Sequence, residues 1–363
     1  MGLSVHAAGS EEREDEDSVR SAVDKGAMHA VHTAIACNVA ILAAKMSVFA
    51  VSGSSSILAE GIHSLADIAN QLLLRMGVAS SRRAPDEMSN YGYRRELFVW
   101  SLISGVGIFC LGAGVTIVHG VYTLIEPPEL EQVWASLAVL AVSLVIESYS
   151  LLVAWRALVA GARARGQGLR EYVKDAQDPT SMAIVAEDGA AVLGLAVAAV
   201  SLLLSEATGN AVYDAAGSVA VGSILGAVAG YLIQTNRRAL VGRSLPRPHL
   251  EVVLDALRRD SVVSEVTDPK SEEVGPGAYR FKVEIEFNGD ALVQRHLATG
   301  HNRDRLVAMF AAASRTGDGK AMDAALAEYG RSVVTAVGDE VDRLETLIRA
   351  LEPSIKHVDI ESN

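Results

Sequence analysis

Six stretches of this 363-residue chain are mostly apolar, at 28–51, 56–78, 96–124, 133–158, 179–205 and 211–235. Each is near the ~20 residues needed to cross the hydrocarbon core of a bilayer. In hydrocarbon the backbone must satisfy its own hydrogen bonds, so such stretches have to be helices. The chain is 50% hydrophobic but only 5% aromatic, so its apolar mass is Ala, Val, Leu, Ile and Gly. Small residues let helix backbones approach closely in a membrane. The sixth stretch places Ser218, Gly222, Gly226 and Gly230 at four-residue spacing, which reads as a packing stripe. Gly105, Gly107, Gly112 and Gly114 in the third serve the same purpose. Asp178 followed by Pro179 marks the start of the fifth helix, a side-chain cap and then a residue suited to the first helical position.

Charge in the loops orients the spans. Arg82, Arg83, Arg94 and Arg95 lie between spans two and three. Arg156, Arg163, Arg165, Arg170 and Lys174 lie between four and five, and Arg237, Arg238 and Arg243 follow six. The opposite loops, 52–55, 126–132 and 206–210, carry no Lys or Arg. The positive side is the cytoplasmic one, and an even number of spans brings both termini there. Residues 1–27 hold the acidic run Glu11, Glu12, Glu14, Asp15, Glu16 and Asp17 and are expected to form a disordered, solvated tail. They show neither the apolar core of a signal peptide nor the Arg-rich, acid-poor make-up of a transit peptide. The bacterial inner membrane is therefore the expected location. A net charge of -12 argues against a nucleic-acid partner. Two cysteines, Cys37 and Cys110, both inside spans, build neither a disulfide framework nor a cysteine zinc motif.

Charged groups inside spans carry the chemistry. A carboxylate at the middle of a span costs roughly 2.5–3.5 kcal/mol to insert, so it is a functional-site hypothesis by default. The second span contains Glu60, His63 and Asp67; the fourth contains Glu147; the fifth contains Glu187 and Asp188. His63 and Asp67, four residues apart, share one helix face. Imidazole with carboxylate is half of a divalent-metal site. Glu60 is read as lining the mouth of a cavity and Glu147 as an interhelical hydrogen-bonding acid. Asp214 is read as a helix-end cap and His119 as an interfacial histidine.

After about Pro246 the composition becomes that of a soluble domain. Residues 249–260 form an amphipathic helix, 262–268 a strand, and 279–287 a half-buried strand with period-two alternation. A long helix over 330–351 and a last strand over 355–361 complete an αββαβ order, with a polar helical insertion at 291–329. The expected domains are thus the tail 1–27, a six-helix membrane domain 28–245 and an α+β, ferredoxin-like cytoplasmic domain 246–363.

These features together resemble the cation diffusion facilitator family of zinc-transporter-type metal/proton antiporters. The resemblance rests on LAEGIHSLAD, the Tyr-Gly-Tyr segment within PDEMSNYGYRREL, IESYSLLVAW, EDGAAVLG and GPGAYRFKVEIEFNG, in that order. It covers residues 28–363 apart from 291–329 and is greatest for the branch of the ninth human zinc transporter. It implies no enzyme and no prosthetic group. It implies a homodimer, joined through the soluble domain, that exchanges protons for a metal cargo. That cargo is zinc, with manganese, iron or cobalt as alternatives because the site is rich in oxygen. Carried over residue by residue, the metal site takes His63, Asp67 and Asp188, and a fourth position at Ile184, where the family usually has His or Asp. Glu187 lies three residues beyond Ile184 and is the substitute candidate. Two further sites known in relatives, one in the loop with Asp86 and Glu87 and one at His357 and Asp359, are incompletely matched. The missing ligand at Ile184 keeps a second reading open, a metal sensor or scaffold that retains the fold without transport.

Overall fold

The computed structural model describes residues 2–52, 55–126, 133–316 and 319–362, with side chains at all of these except 2–17, 52, 55–60 and 316. Most of loops 52–55 and 126–132, the acidic run and the side chain of Glu60 fall outside what is described. The chain divides into two compact units, Met1–Val241 with Gly275–Gly277, and Gly242–Val274 with Ala278–Asn363.

The first unit is a bundle of long helices. They are α1 (Gly2–Ser52), α2 (Ser55–Ser81), α3 (Glu96–Gly107) continuing through a π-helical stretch (Ile108–Gly114) into α4 (Val115–Ile125), α5 (Val133–Ala164), the short α6 (Leu169–Lys174), α7 (Pro179–Thr208) and α8 (Val212–Val241). Among the described residues, five of these spans are long and apolar enough to cross a membrane. The remaining one, α2, has the length at 27 residues, but its polar set with Arg75 lowers its hydropathy. The helix expected to begin at residue 28 has helical backbone from Gly2, so no break separates the acidic segment from the first span.

The packing follows the small residues. Helix α1 lies along α2 and α5, α7 along α5 and α8, and α4 along α8. A methyl at Gly222 would stand 2.6 Å from Ile117 Cγ1 and 3.1 Å from the Ala113 carbonyl oxygen, so α8 touches the third span almost backbone to backbone. Nothing stands within 4 Å of the corresponding point at Gly230, so the stripe is used unevenly. At the start of α7, Asp178 Oδ1 accepts from the Ser181 amide at 3.0 Å, with Pro179 following in the first turn. Asp178→Ala is expected to cost about 1 kcal/mol of local stability. Hydrogen exchange at Thr180–Met182 would read that cost, and Asp178→Asn should retain most of the cap.

The second unit holds α9 (Arg247–Arg259), β1 (Val263–Gly275), β2 (Ala278–Phe287), α10 (Gly289–Ala298), α11 (Asn302–Thr316), α12 (Gly319–Leu351) and β3 (Ile355–Ser362). The sheet order is β1-β2-β3, with β3 parallel to β2. On β2 the alternation works as read. Tyr279, Phe281, Val283 and Ile285 enter a core with Leu254 and Leu257 of α9 and Leu344 and Ile348 of α12. On the other face Arg280 pairs with Asp359 and Lys282 with Glu361 of β3.

Two boundaries differ from the sequence reading. Strand β1 runs to Gly275 rather than stopping near Asp268, passing through Pro269. Proline is tolerated there because β1 is an edge strand, and Asp268 takes a positive φ of 47° just before it. Helix α12 begins at Gly319, not Gly330, and carries Gly330 and Gly338 internally. An internal glycine costs about 1 kcal/mol relative to alanine, a small penalty for a helix of 33 residues packed on a sheet. The insertion is therefore a pair of short helices leading into a long one. It is held by Arg295, which donates to Glu340 at 2.9 Å and pairs with Asp260 at 3.9 Å.

Candidate metal-transport cavity

The in-span acids whose side chains are described meet around one cavity of about 390 Å³ inside the helix bundle. Helix α2 contributes His63, Asp67 and Asn70; α5 contributes Glu147; α7 contributes Glu187 and Asp188. One helical turn brings His63 Nε2 to 3.8 Å from Asp67 Oδ2, and both side chains are about a third exposed, at 36% and 30%. The α7 acids lie deeper. Glu187 is 6% and Asp188 1% exposed. Asn70 Nδ2 donates to Glu187 Oε2 at 2.7 Å, tying α2 to α7 at the level of the acids.

Several oxygens on this wall are buried without a hydrogen-bond partner: Asn38 Oδ1, Asn70 Oδ1, Glu187 Oε1 and Asp188 Oδ2. Burying an unpaired polar group costs of order 1–3 kcal/mol. Four such acceptors on one cavity wall form an environment that attracts cations. Among the described residues, however, no three of His, Cys, Asp and Glu stand close enough together to hold a metal ion. The candidates share a cavity without sharing one coordination sphere. A tetrahedral set would require α2 and α7 to approach.

The cavity has a direction. Its outer lining comes from His119 near the end of α4, Ser136 near the start of α5, Leu202 near the end of α7 and Asp214 near the start of α8. All four lie toward the loops that lack Lys and Arg. Toward the Arg-bearing loops the bundle is filled by Ala30, Val31, Ala34, Leu74, Ala154, Ala183, Ile184, Ala229 and Leu232. Ile184, at the position where a fourth ligand was sought, is fully buried in that apolar block. Glu187, not Ile184, faces the cavity.

His119 and Asp214, read from sequence as an interfacial histidine and a helix cap, are instead part of the cavity lining. Glu147 also lines the wall. Sequence reasoning passed over Asn38, Lys45 and Asn70. A lysine inside an apolar span was the available signal, since intramembrane charge is rare without a function.

The family model described as the cation efflux transmembrane domain matches residues 31–241, which contain all of these elements. The chain belongs to the cation efflux family. It is 50% identical over 344 residues to metal tolerance protein C4 of Arabidopsis thaliana, covering 94% of this chain and 74% of that protein. It is 36% identical to the proton-coupled zinc antiporter SLC30A9, mitochondrial, of Xenopus laevis, over 93% of this chain and 60% of that one. The human protein of the same name is 37% identical over 85% of this chain and 54% of its own. The chain thus spans little more than half the length of these two antiporters. It is a multi-pass membrane protein of a family of cation efflux transporters, not enzymes. The expected bacterial inner membrane gains no support from relatives that include a plant protein and proteins whose names place them in mitochondria.

The two peripheral sites fare differently. Asp86 spends its carboxylate within its own loop, accepting from the Met88 and Ser89 amides at 3.0 and 2.8 Å and from the Tyr93 hydroxyl at 2.7 Å. The Tyr93 bond, with the Ser89 amide next, holds its pKa below the ordinary carboxylate value. The Tyr-Gly-Tyr segment therefore closes a turn over Asp86. Asp359 likewise accepts from Arg280 Nε at 2.7 Å. An arginine thus occupies the carboxylate beside His357, and burial lowers the pKa of that imidazole.

Proposed function

We propose that the protein exports a divalent transition metal, zinc first among them, in exchange for protons. His63, Asp67, Glu187 and Asp188 act as the cargo ligands. The observation that carries this reading is the meeting of these four residues from α2 and α7 around one intramembrane cavity. The names of the antiporter relatives supply the cargo and the coupling ion.

Coupling follows from competition. Neutral imidazole and ionised carboxylates bind metal, whereas their protonated forms do not. A site that faces the Arg-bearing side loads metal and gives up protons. The same site facing the other way takes up protons and loses metal. The cavity described above leads away from the Arg-bearing side, so the structure corresponds to the releasing state in this cycle. Loading would require the Ala30–Ile184–Leu232 block to part while the outer lining closes, a rocking of α2 and α7 against their neighbours. The termini lie on the loading side. The soluble unit joins two copies into a homodimer.

Metal uptake and internal pH in proteoliposomes, with zinc and manganese compared, test the reading. Zinc flux with an opposing proton flux is the expected result. Saturable zinc binding with no flux from folded protein would instead favour the sensor or scaffold reading, which the buried Ile184 keeps specific.

A further inference from the structure

The cavity wall holds a cation of its own. Lys45, on α1, is 6% exposed and lines the cavity beside the acids. Its Nζ donates to Ser64 Oγ at 3.0 Å. Ser64 is the residue after His63 and lies three before Asp67, so the ammonium is anchored within one helical turn of both candidate ligands. Lys45 is also close enough to act electrostatically on Asp67 and on Glu147 across the cavity. It sits nearer the outer end of α1 than Asn38, on the side toward which the cavity leads.

An apolar interior strengthens these interactions relative to water. A cavity lined by Asp67, Glu147, Glu187 and Asp188 is a place where an unpaired carboxylate charge is costly. Lysine is a compact point charge on a flexible four-carbon stem, so it can move between hydroxyl and carboxylate partners without moving the backbone. A divalent ion entering the same space would meet an ammonium of like sign.

We propose that Lys45 is a tethered counter-ion that balances the cavity acids when cargo is absent and whose repulsion of bound cargo sets how readily the metal leaves. This rests on the cavity being the transport site, and it assigns Lys45 a positioning role, not a ligand role. Its loss should tighten binding and slow release together, a combination that damage to the site would not produce.

The test uses the full chain as wild type, Lys45→Gln and Lys45→Arg, with zinc as the probe. Gln keeps a polar donor and removes the charge; Arg keeps the charge. Zinc affinity is measured by competition with a chelating dye in detergent, and initial flux against zinc concentration in proteoliposomes. The expected result for Lys45→Gln is a Kd and a KM lower by tenfold or more with a maximal flux lower by a similar factor, while Lys45→Arg stays near wild type. An unchanged Kd in Lys45→Gln overturns the proposal, because the charge then does not act on cargo. A weaker Kd in Lys45→Gln also overturns it, because the side chain then supports the site. Lys45→Met serves as a second uncharged variant should Gln not yield folded protein. If wild type binds zinc without moving it, the transport reading fails, yet the Kd comparison still decides whether Lys45 opposes the cation.

Discussion

Asp188→Ala is expected to abolish metal flux and to leave the bundle folded. Asp188 is 1% exposed, faces the cavity and has Oδ2 without a hydrogen-bond partner. That oxygen has given up water without gaining a donor, which is unfavourable for stability. Replacing it with a methyl removes that burden, so thermal stability in detergent should hold or rise. Flux should behave oppositely. Groups that merely orient a metal ligand already cost 10–100-fold when lost, so losing the ligand itself should lower flux by at least about 100-fold. The two readouts separate the roles. A structural acid would lower the melting temperature when removed and change flux only in proportion to the folded fraction. Undiminished zinc flux from well-folded Asp188→Ala vesicles would remove α7 from the site.

The second large effect belongs to the soluble unit. Glu273 on β1 is 0% exposed, and Arg243 Nε meets its Oε2 at 2.9 Å. The Glu273 amide also donates to the Arg243 carbonyl at 2.8 Å, so the two segments are joined by backbone as well as by charge. Truncating Arg243 to alanine leaves a buried carboxylate without its main counter-charge. Breaking a buried pair from one side costs about 3–5 kcal/mol. Hydrogen exchange at the β2 amides Phe281 and Val283, measured in the full chain, should show protection reduced by that amount. Replacing both partners together, with Met at 243 and Leu at 273, should recover most of the loss. If the double variant is as unstable as the single one, packing and not charge explains the deficit.

The parts that sequence made legible are those that depend on local pattern. Apolar length marked the spans, period two marked β2, and Asp178-Pro179 marked the start of α7, because each is set by its own few residues. The pairing of His63 with Asp67 was legible because one helix fixes it. Three things were not legible, each for a physical reason. Lys45 meets Ser64 on another helix, and no pattern within 28–51 predicts which residue it meets. Asn70 gains its place from Glu187, 117 residues away. The start of α12 was misplaced because glycine was taken as a boundary, while the helix runs through Gly330 and Gly338 with its first half packed on α10 and α11. Hydropathy identified the residues that avoid water. It did not tell which polar ones would face each other.

The π-helical stretch Ile108–Gly114 has a consequence for comparing this chain with its relatives. A wider turn absorbs an extra residue that an α-helix cannot accommodate in place. The register of α4 is therefore set independently of the register of α3. A related sequence that lacks one residue here can close the wide turn to an ordinary α-turn and keep the facing of the helix on both sides of it. His119 and Thr116 would then still face the cavity, and Asn70 and Gly107 would keep their neighbours. Alignments of this span are best anchored separately at its two ends, at Glu96 and at Ile125, with any gap placed inside the wide turn.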